Sequence, residues 1–163
     1  MSRPCVFLDR DGVINEPAAR GDYIRNWGQF RFFPNAADWI RILNALDYLV
    51  IIVTNQRGVA LGLVDPRDLE EIHANMVRTL AEAGARIDDV FFCPHDYGVC
   101  NCRKPLPGLI HQACQKWDID LTRSVLIGDT DLDRDLARNC GLRFVLATGD
   151  GHIAPAFKNT PAP

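Results

Sequence analysis

The chain has 163 residues and a formal net charge of −3, with 47% hydrophobic and 24% charged residues. This length fits one domain that can bury a core without disulfide bonds. The acidic balance argues against a general nucleic-acid-binding protein, because such proteins are usually basic. The longest apolar run, YLVIIV at 48–53, is far too short to cross a membrane, so no membrane partner is expected.

The first residues, MSRPCVFLDRDG, contain no hydrophobic stretch of signal-peptide length. We therefore expect a cytoplasmic protein whose six cysteines are reduced. Cys5, Cys114 and Cys140 are scattered among apolar residues and are expected to be small, buried hydrophobic side chains. The sequence contains no signal for oligomer formation, so a monomer is the simplest expectation.

Short apolar runs alternate with helical patterns along the chain. The apolar runs are rich in Val, Ile and Phe, as is typical of strands buried on both faces. They predict five strands, at residues 5–9, 48–55, 90–94, 124–129 and 143–148. The helical patterns predict four helices, at residues 35–46, 66–83, 107–117 and 131–140. Asn35 is the candidate N-cap of the first helix, and Gly84 and Gly141 are expected to end the second and the fourth.

This alternation predicts a three-layer α/β fold, in which a Rossmann-like parallel sheet is flanked by helices on both faces. We expect one domain over residues 1–155, followed by a loose tail rich in Pro and Ala at 156–163. Ligands of such sheets bind at the carboxyl ends of the strands, so functional residues should directly follow strands.

Acidic residues follow the first and the fourth predicted strands. Asp9 and Asp11 are two apart, so an extended backbone points both side chains the same way. Adjacent carboxylates repel each other unless a cation lies between them or one carries a proton. A solvated acidic turn is the alternative for this pair. The second group, Asp129, Asp131 and Asp133, is also explained by the preference of acids for a helix N-terminus.

The second predicted strand ends in Thr54, Asn55, Gln56 and Arg57, which offer hydrogen-bond donors and a positive charge. Taken alone, Thr and Asn at a strand end are ordinary turn residues. Neighbouring parallel strands bring this group, the acidic groups and Lys104 to one edge of the sheet. Carboxylates that hold Mg²⁺ beside a lysine and hydroxyl donors form a site for a phosphate group. Because an Asp can itself be phosphorylated, phosphoryl transfer is the predicted chemistry.

The segment CPHDYGVCNC contains Cys93, His95, Cys100 and Cys102, and we call residues 93–102 the zinc loop. The members of each pair are two apart, so a chain reversal between the pairs would bring all four side chains together. Three cysteines and one histidine form a closed tetrahedral ligand set that is typical of structural zinc. A disulfide is the alternative, but it leaves one thiol unpaired and needs an oxidising compartment. The sequence therefore predicts bound Zn²⁺ without a catalytic role.

The motifs DRDG at 9–12, TN at 54–55, Lys104 and GDTDLD at 128–133 resemble those of the haloacid dehalogenase (HAD) superfamily of phosphatases. They occur in the same order and span nearly the whole chain. FLDRDGVIN, TNQ-x-G and the CPH…CxCRKP segment resemble one branch, which contains heptose bisphosphate phosphatases and the histidinol-phosphatase domain. Relatives often insert a cap domain, and here only residues 16–34 and the zinc loop occupy those places. The resemblance therefore implies an open site without a cap.

The resemblance also implies roles for individual residues. Asp9 would be the nucleophile, and Asp11 the general acid and base. Mg²⁺ would be held by the side chains of Asp9 and Asp129 and by the main-chain carbonyl of Asp11. Asp133 would support the metal shell or Lys104.

Further residues would bind the substrate. Thr54 and Lys104 would contact the transferring phosphoryl group, and Arg103 would recognise the rest of the molecule. Tyr23 matches a residue of the family's substrate loop, so residues 16–23 are candidates for sugar contacts. The complete predicted set for phosphate and substrate is Thr54, Asn55, Gln56, Arg57, Arg103, Lys104 and Tyr23.

The predicted substrate is a small phosphorylated sugar. KPLPG at 104–108 resembles the heptose enzymes, which implies removal of the C7 phosphate of a heptose 1,7-bisphosphate in nucleotide-heptose and lipopolysaccharide synthesis. Histidinol phosphate is the alternative, because the segment between the two ligand pairs is short; a zinc-stabilised binding module without activity is a third. Arg57 stands where the branch often has Ser, and Leu61 where it often has Arg. One hypothesis is that Arg57 replaces the lost cation at the substrate.

Overall fold

The computed structural model describes residues 1–148, so the predicted tail at 156–163 lies outside the described residues. Five parallel strands form one sheet in the order β3-β2-β1-β4-β5. The strands are β1 (Cys5–Leu8), β2 (Leu49–Asn55), β3 (Asp89–Cys93), β4 (Val125–Gly128) and β5 (Arg143–Leu146). All five predicted strands are confirmed, and their ends differ from the prediction by at most two residues.

Four α-helices connect the strands, and all four were predicted. They are α1 (Ala36–Ala45), α2 (Pro66–Glu82), α3 (Gly108–Lys116) and α4 (Asp131–Asn139). Asn35 occupies the N-cap position of α1, as predicted, although its side chain makes no capping hydrogen bond. Two short 3-10 helices, Trp27–Gln29 and Leu121–Arg123, were not predicted, because three residues are too few to show a period.

The sheet separates two apolar cores. Val6 and Leu8 of β1 contribute to the core beneath α1 and α2, whereas Phe7 contributes to the core beneath α3 and α4. Successive side chains of a strand point to opposite faces, so a strand covered on both sides needs an unbroken apolar run. The helix–sheet–helix arrangement confirms the predicted three-layer Rossmann-like fold.

The three cysteines outside the zinc loop differ in burial. Cys5 is fully buried within β1, as predicted. Cys114 and Cys140 are only partly buried, so the prediction is wrong for both. Cys114 lies on α3 and Cys140 directly follows α4, and these outer helices keep one side in solvent. None of the six cysteines forms a disulfide bond.

The strand order places a crevice beside β1. After β1 the chain passes to β2 and β3 on one side, and then returns to β4 and β5 on the other. Ligands of open α/β sheets bind at such a reversal, beyond the carboxyl ends of the strands. Asp9 follows β1 and Asp129 follows β4, so both lie at this point. No helix within residues 1–148 combines the length and the apolar character that crossing a membrane would require.

Candidate active site

A cleft of about 240 Å³ opens at the carboxyl ends of β1, β2 and β4. Its walls contain seven of the residues predicted for the site, far apart in sequence and brought together by the sheet. They are Asp9, Asp11, Thr54, Asn55, Arg103, Lys104 and Asp129. Pro17, Thr130 and Leu132 complete the lining.

The buried ammonium group of Lys104 lies between two carboxylates. Its Nζ is 2.9 Å from Oδ1 of Asp9 and 2.7 Å from Oδ1 of Asp133, and it donates a hydrogen bond to the carbonyl of Val53. Burial opposes the charge of the lysine, but the two carboxylates outweigh it and raise the pKa of Lys104. The lysine is therefore held as a cation at the floor of the cleft.

Asn55 holds the backbone of Lys104 on both sides. The Lys104 N–H donates to Oδ1 of Asn55 over 3.0 Å, and Nδ2 of Asn55 donates to the Lys104 carbonyl over 3.3 Å. The amide of Asn55, which was predicted to contact the substrate, therefore fastens the lysine segment to the end of β2.

Asp9 is almost completely buried at the end of β1. Its Oδ1 accepts a hydrogen bond from the backbone N–H of Arg10 in addition to the contact with Lys104. Burial and the nearby charges of Asp133 and Asp11 raise the pKa of Asp9 to about 7, although Lys104 opposes this shift. Additional positive charge beside Asp9 would favour its ionised form.

Three carboxylates converge next to the lysine. One oxygen atom each from Asp9, Asp129 and Asp133 lies within 4.8 Å of the others. Oδ1 of Asp129 is buried and has no hydrogen-bond partner among the described residues. Burial and the charge of Asp133 raise the pKa of Asp129, so the cluster needs positive charge. Hard oxygen donors around a carboxylate oxygen without a partner fit a Mg²⁺ ion.

Asp133 is engaged on both oxygens. Oδ1 accepts a hydrogen bond from Nζ of Lys104, and Oδ2 accepts one of 2.7 Å from the hydroxyl of Thr130. Thr130 and Asp133 form a capping box that starts α4. Of the two supporting roles predicted for Asp133, these contacts favour the one that supports Lys104.

The carboxylate of Asp11 lies apart from the acidic cluster. Both of its oxygens are 3.0 Å from Nη2 of Arg10, and they also accept hydrogen bonds of 2.9 Å from Asn15 and Gln56. Burial alone would raise the pKa of Asp11, but the charge of Arg10 and these hydrogen bonds lower it. The repulsion expected between Asp9 and Asp11 is thus relieved, because Lys104 lies beside Asp9 and Arg10 beside Asp11.

Arg10 is a site residue that the sequence analysis missed. It is fully buried, its Nη1 lies 3.1 Å from Nε2 of His73 on α2, and its guanidinium lies 5.8 Å from the ring centre of Phe30. Burial and the charge of Arg10 lower the pKa of His73 to about 3, so the ring is neutral and accepts the hydrogen bond. The available signal was an arginine placed between two aspartates directly after a buried strand.

A second cleft of about 230 Å³ adjoins the first and shares Asp11, Pro17 and Asn55 with it. The predicted substrate loop lines it from residue 17 onward, including Tyr23. Gln56 lies on the opposite wall, and its amide nitrogen donates to Thr54 as well as to Asp11. The loop predicted for sugar contacts thus lies next to the acidic groups.

Arg57 is not among the residues that line either cleft. Its Nε donates a hydrogen bond of 2.6 Å to Oδ1 of Asp96 in the zinc loop, and its guanidinium stacks on Tyr97. The charge proposed to replace a lost substrate contact is therefore balanced by Asp96.

The four predicted zinc ligands come together. Sγ of Cys93 is 3.6 Å from both Sγ of Cys100 and Nδ1 of His95, and Nδ1 of His95 is 3.3 Å from Sγ of Cys102. Zn–S bonds of about 2.3 Å at tetrahedral angles place two sulfur atoms about 3.8 Å apart. The donor set and its spacing fit a tetrahedral Zn²⁺ ion, and Arg103 and Lys104 directly follow the last ligand.

A Rossmann-like sheet with carboxylates after β1 and β4 and a buried lysine facing them defines a HAD-like hydrolase. A family model described as HAD-hydrolase-like matches residues 101–162. D-glycero-beta-D-manno-heptose-1,7-bisphosphate 7-phosphatase of Rhodopseudomonas palustris is 44% identical over 148 residues, which cover 86% of this chain and 81% of the relative. The alpha-anomer enzyme of Mycobacterium bovis is 42% identical over 137 residues, which cover 83% and 72%.

Solved structures agree with these relatives. The crystal structure of D,D-heptose 1,7-bisphosphate phosphatase from B. bronchiseptica, complexed with magnesium and phosphate, matches with a TM-score of 0.83 and 34% identity. The match covers 97% of this chain and 88% of that one. The chain belongs to the family of D-glycero-D-manno-heptose-1,7-bisphosphate 7-phosphatases within the HAD-like hydrolases.

Proposed function

We propose that this protein is a Mg²⁺-dependent phosphatase that removes the C7 phosphate of D-glycero-D-manno-heptose 1,7-bisphosphate, in nucleotide-heptose synthesis. One observation carries the proposal: the buried ammonium of Lys104 lies 2.9 Å from Asp9 in a cleft whose wall also contains Asp129, a carboxylate with an unpartnered oxygen. Such a site attracts a phosphate group and supplies a nucleophile beside it.

Asp9 attacks the phosphorus, and the bond between phosphorus and the C7 oxygen breaks. Lys104 and the hydroxyl of Thr54 bind the phosphoryl oxygens, because both lie in the cleft next to Asp9. Asp133 and Asn55 keep the lysine in place through its ammonium group and its backbone. Attack leaves a phosphoryl group on Asp9 and a sugar alkoxide that needs a proton.

Asp11 supplies that proton and later removes one from the water that hydrolyses the phosphorylated Asp9. In the unliganded site Asp11 is ionised and held by Arg10, Asn15 and Gln56. The phosphate dianion brings negative charge into the cleft, which favours the protonated form that the acid step requires.

The carboxylates of Asp9 and Asp129 and the main-chain carbonyl of Asp11 would hold Mg²⁺. The ion supplies positive charge, so that an anionic nucleophile can approach an anionic phosphate. The unpartnered oxygen of Asp129 and the raised pKa values of Asp9 and Asp129 support this assignment.

Zn²⁺ would be held by the zinc loop as a structural ion. The loop is short and polar, and Asp96, Tyr97, Gly98 and Val99 between the ligand pairs contribute little to the core. A four-coordinate ion fixes such a loop and with it the direction in which Arg103 and Lys104 leave it.

Phosphate release from a substrate panel tests the proposal. The panel contains both anomers of the heptose 1,7-bisphosphate, histidinol phosphate and other sugar phosphates, each with and without Mg²⁺. Relatives named for the beta and the alpha anomer are 44% and 42% identical, so the assay decides the anomer. We expect fastest release from one heptose anomer, Mg²⁺ dependence, and background activity for Asp9→Asn. Hydrolysis of histidinol phosphate faster than that of either heptose anomer would overturn the substrate assignment. Activity of Asp9→Asn equal to that of the wild type would overturn the proposed enzymatic function.

A further inference from the structure

Tyr97 lies between two arginines at the rim of the cleft. Its ring centre is 4.4 Å from the guanidinium carbon of Arg57 and 4.3 Å from that of Arg103. The side chain is 63% exposed, so its position is set by these two contacts rather than by burial in a core. Each contact is within the range in which a cation is attracted to the face of an aromatic ring.

The two arginines differ in what their N–H groups contact. Nε of Arg57 donates to Asp96, so its charge is balanced within the rim. Arg103 lines the cleft, and its Nη1 is buried without a hydrogen-bond partner among residues 1–148. Arg103, which lines the cleft and has a donor without a partner, is therefore better placed than Arg57 to contact a ligand in the cleft.

The stack joins two loops of different origin. Arg57 follows β2, whereas Asp96 and Tyr97 lie inside the zinc loop and Arg103 directly follows it. The backbone N–H of Gln56 donates to the carbonyl of Cys93 over 2.8 Å, which brings the two loops together at their base. The Arg57–Asp96 pair connects them again at the rim.

We propose that Tyr97 is a positioning residue that fixes the guanidinium of Arg103 toward the cleft, and that the Arg57–Asp96 pair holds Tyr97 in place. Stacking restricts an arginine side chain without using its N–H donors, which remain free for an anion. Arg103 then binds the second anionic group of the substrate, away from the transferred phosphate. This inference rests on the proposed function, because it assigns the part of a sugar bisphosphate that Arg103 contacts.

Steady-state kinetics with two substrates test the inference. Heptose 1,7-bisphosphate carries the second phosphate, and p-nitrophenyl phosphate lacks it. We expect Tyr97→Leu to raise KM for the bisphosphate roughly five-fold, the worth of one exposed cation–π contact, with unchanged kcat. Both parameters for p-nitrophenyl phosphate should stay the same. Tyr97→Phe keeps the aromatic face and should behave as wild type, as should Val99→Ala on the same exposed loop.

A double-mutant comparison separates Tyr97 from Arg103. If Tyr97 acts through Arg103, Tyr97→Leu should have no further effect on KM in an Arg103→Ala background. The same five-fold rise in that background would overturn the inference. An equal loss of activity on both substrates, or loss of bound zinc by Tyr97→Leu, would also overturn it in favour of a general structural role of the loop.

A readout without turnover distinguishes failure of the inference from failure of the proposed function. The side-chain Nε–Hε resonances of Arg57 and Arg103 should show a ring-current shift from Tyr97 in NMR spectra. We expect Tyr97→Leu to remove these shifts and Tyr97→Phe to keep them. If the wild type shows the ring-current shifts but does not hydrolyse the bisphosphate, the proposed function is rejected and the stack is not. Unchanged shifts in Tyr97→Leu would reject the stack whatever the activity.

Discussion

The Nζ atom of Lys104 lies 2.7 Å from Oδ1 of Asp133, and both side chains are buried. Asp133 lies in the first turn of α4, and its second oxygen is held by Thr130. The lysine of the cleft is thus connected to the start of α4, which packs against β4 and β5. In the sheet, β1 separates these two strands from β2 and β3.

Asp133→Asn should therefore reduce both stability and turnover. Breaking a buried ion pair completely costs about 3–5 kcal/mol. Asp9 still compensates the lysine in this variant, so we expect a smaller loss, of about 2 kcal/mol, from one missing carboxylate. The matched control is Asp135→Asn on the same helix, whose exposed pair with Arg138 contributes at most about 1 kcal/mol. Urea unfolding and phosphate release should be measured for both variants. Equal stability of the two would show that the Lys104–Asp133 contact is not a structural requirement.

Gly12 offers a test of the proposed Mg²⁺ site. Its φ is +85°, and a Cβ atom there would overlap Oδ2 of Asp129. Gly21 has nearly the same φ, +84°, but no atom lies within 4 Å of a Cβ at that position. Alanine at either position carries the backbone cost of about 1–2 kcal/mol of a left-handed conformation. Only Gly12→Ala also displaces the carboxylate.

We expect Gly12→Ala to raise the Mg²⁺ concentration required for half-maximal activity about ten-fold or more, since an oxygen ligand is moved. Gly21→Ala should leave this concentration unchanged. Isothermal titration of each protein with Mg²⁺ measures the same effect without turnover. The assignment of Asp129 to the metal is wrong if the two variants bind Mg²⁺ equally well.

The convergence of Asp9 and Asp129 could be predicted because it follows from topology. Parallel strands end at one edge, so the residues that follow them must meet whatever the side-chain packing. The same holds for the zinc ligands, whose spacing of two within each pair is a local property. In both cases the chemistry lies in residue types at positions that the backbone fixes.

Contacts that depend on side-chain packing could not be predicted. Arg10 meets His73 across 63 positions of sequence, and no local pattern in α2 distinguishes that histidine from an ordinary core residue. Arg57 pairs with Asp96 because two loops approach each other. The sequence shows that position 57 has Arg where relatives often have Ser, but it does not show which residue this arginine contacts. The neutral turn residue Asn55 likewise acquires its contacts with Lys104 only from tertiary structure.

Removal of zinc should reduce turnover by disturbing Lys104. Cys102 is a predicted ligand and lies two positions before the lysine, so Cys102→Ser should lower the zinc content and kcat together. Cys114→Ser is the control, because this partly buried thiol on α3 lies outside the cluster. Metal analysis should find one zinc per chain in the wild type and in Cys114→Ser. Unchanged activity with Mg²⁺ after verified zinc removal would contradict the positioning role of the loop.

His73 should make stability depend on pH below neutrality. Arg10 donates to its Nε2, Asp11 is the nearby negative charge, and Phe92 packs 5.3 Å from the ring centre. The folded pKa is about 3, below the value of about 6.5 in an unfolded chain. Between these values the unfolded state binds one more proton, so the free energy of unfolding falls as the pH is lowered through this range.

From pH 7.5 to pH 5.0, this one group should lower the free energy of unfolding by about 2 kcal/mol, since the lower pH lies about 1.5 units below the unfolded pKa. His73→Gln keeps an acceptor for Arg10 but does not titrate. The fall in its free energy of unfolding between the two pH values should therefore be about 2 kcal/mol smaller than in the wild type. His111→Gln, an exposed position on α3, should decrease like the wild type. Urea unfolding of the zinc-loaded proteins at both pH values measures the difference. Parallel behaviour of wild type and His73→Gln would mean that the ring is protonated in the fold, and that its contact with Arg10 is not the hydrogen bond described above.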